Sequence, residues 1–233
     1  MRGSGVVTIF LAGVLLCAVA HALEPLGNRA STDWLGPQPM DPTKAGIGKR
    51  IPDMPLDQLY GGPVSLYDSG GQLGTVVFVR DPECPVSRAY GPRLARLARI
   101  YVSQGFNFVA LYMNDQLGPM ALAADTGGFD GPALFIRGDA GSLSKMLGVE
   151  STGDVFLLNA RQRLVYRGAV DDQYGIGYTK EVPTNRLLEH ALDDVIQGRP
   201  VNVPATTAPG CHIDTDPLSE PGFVPWTPEE QHS

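Results

Sequence analysis

Apolar residues change period along this chain, and the changes divide it into elements. Val76, Val77, Phe78 and Val79 are consecutive apolar positions, the pattern of a strand covered on both faces. From Val86 to Ser103 the period turns helical, with Leu94, Leu97, Ala98 and Tyr101 on one stripe and Arg93, Arg96 and Arg99 on other faces. Gly105 ends that helix, and Phe106–Met113 reads as a second buried strand. The spacing predicts short helices over Pro119–Asp125, closed by Gly127-Gly128, and over Ser142–Leu147, ended by Gly148. A short strand at Ala133–Ile136 lies between them. Val155–Leu158 and Arg163–Tyr166 form a hairpin around Asn159–Gln162. A last helix is expected from Thr184, its N-cap, to Gln197, with Gly198 at C′. Ahead of all these, Pro52–Leu56 and Val64–Tyr67 read as two short strands about the Tyr60-Gly61-Gly62-Pro63 turn. The order ββ–β–α–β–α–β–α–β–β–α predicts an α/β fold. Its central mixed sheet has a parallel middle and an antiparallel hairpin at the later edge, with helices flanking it.

The periodic text covers residues 46–198. Residues 23–45 have no period and several prolines, which reads as an extended leader with Trp34 and Leu35 as a small anchor. Residues 199–233 are punctuated by Pro200, Pro204, Pro209, Pro217, Pro221, Pro225 and Pro228, and no regular structure is expected there. At the other end, Arg2, the uncharged run Val6–Val19 and Ala20-His21-Ala22 match a secretory signal peptide over residues 1–22. The run is short for a membrane span of about 20 residues. Bulky Leu16 before Cys17 argues against lipidation. The mature chain is therefore expected to be periplasmic or secreted, without a stable lipid anchor.

Export changes the meaning of the cysteines. Of three, loss of Cys17 leaves Cys84 and Cys211, candidates for one disulfide in an oxidising compartment. A net charge of −7 argues against nucleic acid or an anionic membrane surface as partner. Cys84 stands between a buried strand and the start of a helix. Unpaired N–H groups and the helix dipole favour a thiolate there, so it reads as a reactive thiol; the plainer reading is a small apolar side chain in the core. Arg88, one turn on, either favours the thiolate or belongs to a solvated helix face. Asp171 and Asp172, in a loop after a strand, are a carboxylate pair suited to acid–base work or cation binding, or a solvated turn.

Four stretches carry a family resemblance: IPDMPL…GGPVSL, TVVFVRDPECPVSRAYGPRLARLA, VFLLNARQRLVYRGAVDDQYG and PTNRLLEHALDDVIQGRPVNVPATTAPGC. Together they span about residues 46–212. They resemble the thioredoxin superfamily, and within it exported bacterial redoxins of the alkyl hydroperoxide reductase/thiol-specific antioxidant type. The resemblance implies a thioredoxin-like domain over 46–198, no cofactor, and thiol–disulfide exchange or weak peroxide reduction on protein or small-molecule disulfides or peroxides. It implies Cys84 as nucleophile, Cys211 as a distant resolving thiol, Arg88 as an aid to the thiolate, and Pro85, Ser87, Gly153, Asp171 and Asp172 as substrate contacts.

The chain also departs from the family pattern. Ser87 stands where thioredoxins carry the second cysteine of CxxC, and Val77 and Asp81 stand where peroxiredoxins carry their peroxide-holding residues. Thr152-Gly153-Asp154 replaces the cis-proline turn. A cis bond before a non-proline residue costs about 2.5–4 kcal/mol, so Gly153 is expected to take another conformation. No CxxCH is present, so no haem is implied. A Cys84–Cys211 bond would be a working redox pair or a staple, which by loop entropy would stabilise the fold by about 4–5 kcal/mol. Two other classes stay open. One is an accessory subunit bound to a larger complex through the tails, with Trp34, Phe223 and Trp226 as contacts. The other is a copper-handling protein using Cys84, Cys211 and His212, although Arg88 occupies the second position of the CxxxC of such proteins.

Overall fold

A computed structural model describes residues 36–138, 143–175 and 177–213 of the 233-residue chain. The signal-peptide reading, Trp34, Leu35, Phe223 and Trp226 fall outside the described residues. A small antiparallel hairpin, β1 (Pro55–Leu56) and β2 (Val64–Ser65), comes first. It is followed by β3 (Gly74–Arg80), α1 (Pro85–Val102), β4 (Phe106–Tyr112), α2 (Pro119–Gly128), β5 (Leu134–Arg137) and α3 (Leu143–Leu147). The chain continues through β6 (Val155–Asn159), β7 (Leu164–Gly168), a two-residue pair β8 (Tyr174–Gly175) and β9 (Tyr178–Thr179), and α4 (Leu187–Ile196). The main sheet has the order β5-β4-β3-β6-β7. β3, β4 and β5 are parallel, joined by helical crossovers; β6 and β7 run antiparallel as a hairpin beside β3.

Both faces of this sheet are covered, which explains the unbroken apolar runs. Val76 and Phe78 of β3, Phe108 and Ala110 of β4 and Leu157 of β6 pack against Leu94, Leu97, Ala98 and Tyr101 of α1 and Leu188 and Leu192 of α4. The alternate residues Val77, Val79, Val109, Leu111 and Phe156 face a second core with Ile51, Leu56, Leu66, Leu143 and Leu147. Every residue of β3 is buried.

Two local expectations are corrected. The last helix starts at Leu187 with Arg186 as N-cap, not at Thr184. The Thr184 hydroxyl instead donates to Asp172 at 2.5 Å, and the backbone N–H groups of Thr184 and Asn185 donate to the same carboxylate at 2.7 and 2.9 Å, holding this stretch out of the helix. The second correction concerns the proline-rich tail. Ala205 bridges Arg167 of β7 in parallel, and Thr206 bridges Pro39 of the leader. The Arg167 N–H donates to the Pro204 carbonyl and the Thr206 N–H to the Arg167 carbonyl, both at 3.0 Å, while the Met40 N–H reaches the Ala205 carbonyl at 3.0 Å. Prolines lack a donor but keep an acceptor, so a tail alternating them with ordinary residues can still pair with an open sheet edge. Among the described residues no helix is long and apolar enough to cross a membrane.

Candidate thiol site

Topology brings the site together. β6 runs antiparallel to β3, with Phe78 opposite Val155, so the loop entering β6 meets the loop leaving β3. Cys84 lies in the second of these loops, Thr152 in the first. Cys84 is the N-cap of α1, in extended conformation, with Pro85 at the first helical position. It is only 2% exposed. The Thr152 hydroxyl donates to its sulfur at 2.9 Å.

The C-terminal tail supplies the rest. Beyond the pairing of Ala205 and Thr206, residues 209–213 run across the loop ahead of β6, and Ser151 bridges His212 in antiparallel fashion. The Thr152 N–H donates to the Cys211 carbonyl at 2.9 Å and the Ile213 N–H to the Glu150 carbonyl at 2.9 Å. The Cys211 N–H donates to the Thr152 hydroxyl at 2.8 Å, and the Ser151 hydroxyl to the Pro209 carbonyl at 3.1 Å. This register seats the exposed Cys211 on Thr152, the residue that also bonds the Cys84 sulfur, across 127 positions of sequence (211 − 84). Burial pushes the Cys84 thiol up. Hydrogen bonds from the Cys211 thiol, the Ser87 amide, the Thr152 hydroxyl and the Cys211 amide outweigh it and leave Cys84 below its ordinary value. Cys211 moves the other way: the hydrogen bond it gives Cys84, then burial, then the Cys84 charge keep its proton on. The pair therefore has one thiolate-prone member and one proton-holding member.

The other expected site residues fall into distinct places. Ser87 is turned inward: its hydroxyl accepts the Asp81 N–H at 3.0 Å and its carbonyl accepts Arg80 Nη1 at 2.5 Å. Pro85 is exposed beside the thiol. Arg88 is exposed as well; its backbone N–H donates to the Cys84 carbonyl at 3.0 Å, and the groups acting most on the sulfur are those named above. Gly153 is buried, and no described peptide bond is cis. A Cβ there would stand 1.8 Å from the Pro209 carbonyl oxygen, so the backbone of the tail occupies the place of a side chain.

Asp171 and Asp172 are sealed in internal networks. Asp171 pairs with Arg93 of α1 and accepts the Gln173 N–H at 2.9 Å. Burial pushes its carboxyl up, against the pull of Gln173 and Arg93. Asp172 accepts from Lys180, Thr184 and Asn185; burial opposes its charge, yet these bonds hold it well below the usual carboxylate range. Asp171 ties the loop after β7 to α1, and Asp172 ties it to Lys180 and to the stretch ahead of α4. Among the described residues no group of three or more His, Cys, Asp or Glu side chains could hold a metal ion, so the copper reading finds no donor set there.

Two residues escaped the sequence reasoning. Thr152 links both cysteines, and only its place at the turn ahead of β6 hinted at that. Arg80 ends an otherwise apolar strand, and that break in pattern was the available signal. Its guanidinium is buried in a bidentate pair with Asp125 at 2.8 and 2.6 Å, Tyr112 donates to the same carboxylate at 2.6 Å, and together they brace the loop behind Cys84.

Solved structures share the fold. An uncharacterised conserved protein from Geobacillus kaustophilus is 25% identical with a TM-score of 0.65, the match covering 74% of this chain and 94% of that one. A hypothetical protein from Sinorhizobium meliloti 1021 is 26% identical with a TM-score of 0.65, covering 77% of this chain and 97% of that one. A Neisseria meningitidis protein provisionally called a thioredoxin is 16% identical with a TM-score of 0.50, over 63% of this chain and 89% of its own. The chain has a thioredoxin-like fold. No family model matches the sequence, and no curated protein does either. In this thioredoxin-like frame the thiol pair spans the start of the first long helix and a C-terminal tail, with Ser87 at the CxxC position.

Proposed function

We propose that the protein is an exported thiol redoxin in which Cys84 is the nucleophile and Cys211 the resolving thiol. The observation that supports this is Thr152, whose hydroxyl donates to the Cys84 sulfur at 2.9 Å and accepts the Cys211 N–H at 2.8 Å, so that one side chain joins the two cysteines. The divergent pKa directions supply the division of labour, because the thiolate attacks and the protonated partner waits. With a hydroperoxide, the Cys84 thiolate attacks the distal oxygen, the O–O bond breaks, and an alcohol or water leaves as Cys84 becomes a sulfenic acid. Cys211 then attacks that sulfur, the Cys84–Cys211 bond forms and water departs. With a small disulfide, the thiolate forms a mixed disulfide and releases one thiol; Cys211 displaces the second. An external dithiol returns the pair to the reduced state, each cycle moving two electrons.

Reduced protein mixed with hydrogen peroxide or glutathione disulfide, followed by mass mapping, tests the assignment. Wild type is expected to end as the Cys84–Cys211 disulfide, and Cys211→Ser to stop at the sulfenic acid or mixed disulfide. Cys84→Ser is expected to react no faster than an ordinary exposed thiol. A Cys84→Ser variant that keeps the wild-type rate removes the reading. For export, N-terminal sequencing of protein recovered from cells is expected to begin at Leu23.

A further inference from the structure

The tail does more than deliver Cys211. Residues 209–213 run along Glu150–Gly153 with a single antiparallel bridge between Ser151 and His212, and their backbone takes hydrogen-bonding groups that this stretch presents. Gly153 and Gly210 allow the close approach. A Cβ on Gly153 would meet three atoms of Pro209 before anything else, and one on Gly210, at φ +144, would lie 2.6 Å from the Ser151 and Thr152 hydroxyls. Ile213 adds a side chain to the second core. With this segment seated, Cys84 is buried and Thr152 joins its sulfur to the Cys211 N–H of the tail.

We propose that this segment is a substrate gate: seated, it limits Cys84 to small oxidants, and a protein disulfide reacts only when residues 209–213 leave this stretch. The inference rests on the reading of Cys84 as nucleophile. A hydroperoxide is small and brings no backbone of its own to this stretch. A disulfide within a polypeptide brings its own backbone, and the place that backbone would take is filled. Release is local, because Ala205, Thr206 and Thr207 stay bonded to β7 and the leader while the chain bends beyond them, at Gly210. The seat consists largely of backbone hydrogen bonds, each modest in net worth because water competes for the same groups, so an extended segment can exchange for it. With the gate open, the Cys84 thiolate attacks one sulfur of the protein disulfide, a mixed disulfide forms and the other sulfur leaves as thiolate. An added dithiol then resolves the mixed disulfide, becoming oxidised as the second substrate sulfur departs.

Gly153→Ala in the full chain tests this, since the three nearest obstructions to the new methyl group all belong to the tail. Gly210→Ala, on the tail itself, is the second variant should the first fail to fold. Hydrogen exchange of the Cys211 and Ile213 amides reports seating. Oxidation of reduced protein by hydrogen peroxide, and dithiothreitol-coupled reduction of insulin, report the two substrate classes. Both variants are expected to exchange faster at these amides, and the ratio of insulin rate to peroxide rate to rise by at least about tenfold, the equivalent of 1.4 kcal/mol. Faster exchange with an unchanged ratio overturns the gate, as does unchanged exchange in folded variants. Failure of the underlying assignment looks different: wild type would then react with peroxide no faster than Cys84→Ser.

Discussion

At the scale of single residues, Thr152 is the pivot. Its hydroxyl donates to the Cys84 sulfur and accepts from the Cys211 amide, so one side chain both favours the thiolate and registers the resolving cysteine. Thr152→Val removes one of the hydrogen bonds that offset burial at Cys84, which raises the thiol's pKa. Iodoacetamide labelling of reduced protein at pH 7 is expected to slow by roughly tenfold, the worth of one hydrogen bond to a charged group, with the pH–rate midpoint moving upward. Thr152→Ser keeps the hydroxyl and is expected to restore the wild-type profile. A Val variant with an unmoved midpoint would remove Thr152 from the thiolate's support. Cys84 itself was legible in the sequence because the strand-to-helix transition is a local pattern. Thr152 was not, because its role exists only once a loop from 68 positions away closes over the thiol (152 − 84).

At the scale of elements, the turn ahead of β6 depends on Asp154. Its carboxylate accepts the Glu150 and Ser151 amides at 2.7 and 2.9 Å, tying the turn that carries Thr152 and receives the tail. Burial pushes this carboxyl from its ordinary 3.8 up to about 6, opposed by the Glu150 amide, the Arg167 charge and the Ser151 amide. The folded value lies above the unfolded one, so the folded state keeps a proton that the unfolded chain releases. The resulting stability is full below about pH 4 and is lost as pH rises through about 6, a change on the order of 3 kcal/mol. Asp154→Asn holds the site neutral throughout. Urea unfolding at several pH values is expected to show wild type losing stability relative to the variant between pH 4 and 7; a constant difference would contradict this account. The helices and strands were largely readable because both faces of the sheet are covered and α1 is amphipathic. The start of α4 was misread because Asp172, from a distant loop, recruits Thr184 and Asn185 before the helix can use them.

At the scale of the whole molecule, the tail and the leader extend the sheet beyond β7. Gly168, at φ +147, permits this: a Cβ there would stand 2.1 Å from the Thr206 hydroxyl oxygen. Gly168→Ala combines backbone strain with loss of the strap and is expected to cost about 1–3 kcal/mol in thermal or urea unfolding. It is also expected to speed amide exchange at Thr206. Unchanged exchange there would show that the strap does not depend on this glycine. The described parts of leader and tail, read from their prolines as unstructured, are thus used by the chain itself.

Local patterning alone determined the α/β order, the mixed sheet, the first helix beginning at Cys84 and the presence of a second cysteine in a proline-rich tail. Each of these is written in neighbouring residues, through period, turn chemistry and helix-start sterics. Tertiary structure decided that Thr152 joins Cys84 to Cys211, and that Asp171 and Asp172 are held in internal networks. The reason is physical. Which backbone groups remain unpaired at a sheet edge, and which carboxylates are buried, depends on strands and loops far apart in sequence, and the tail is placed by those unpaired groups rather than by any periodicity of its own.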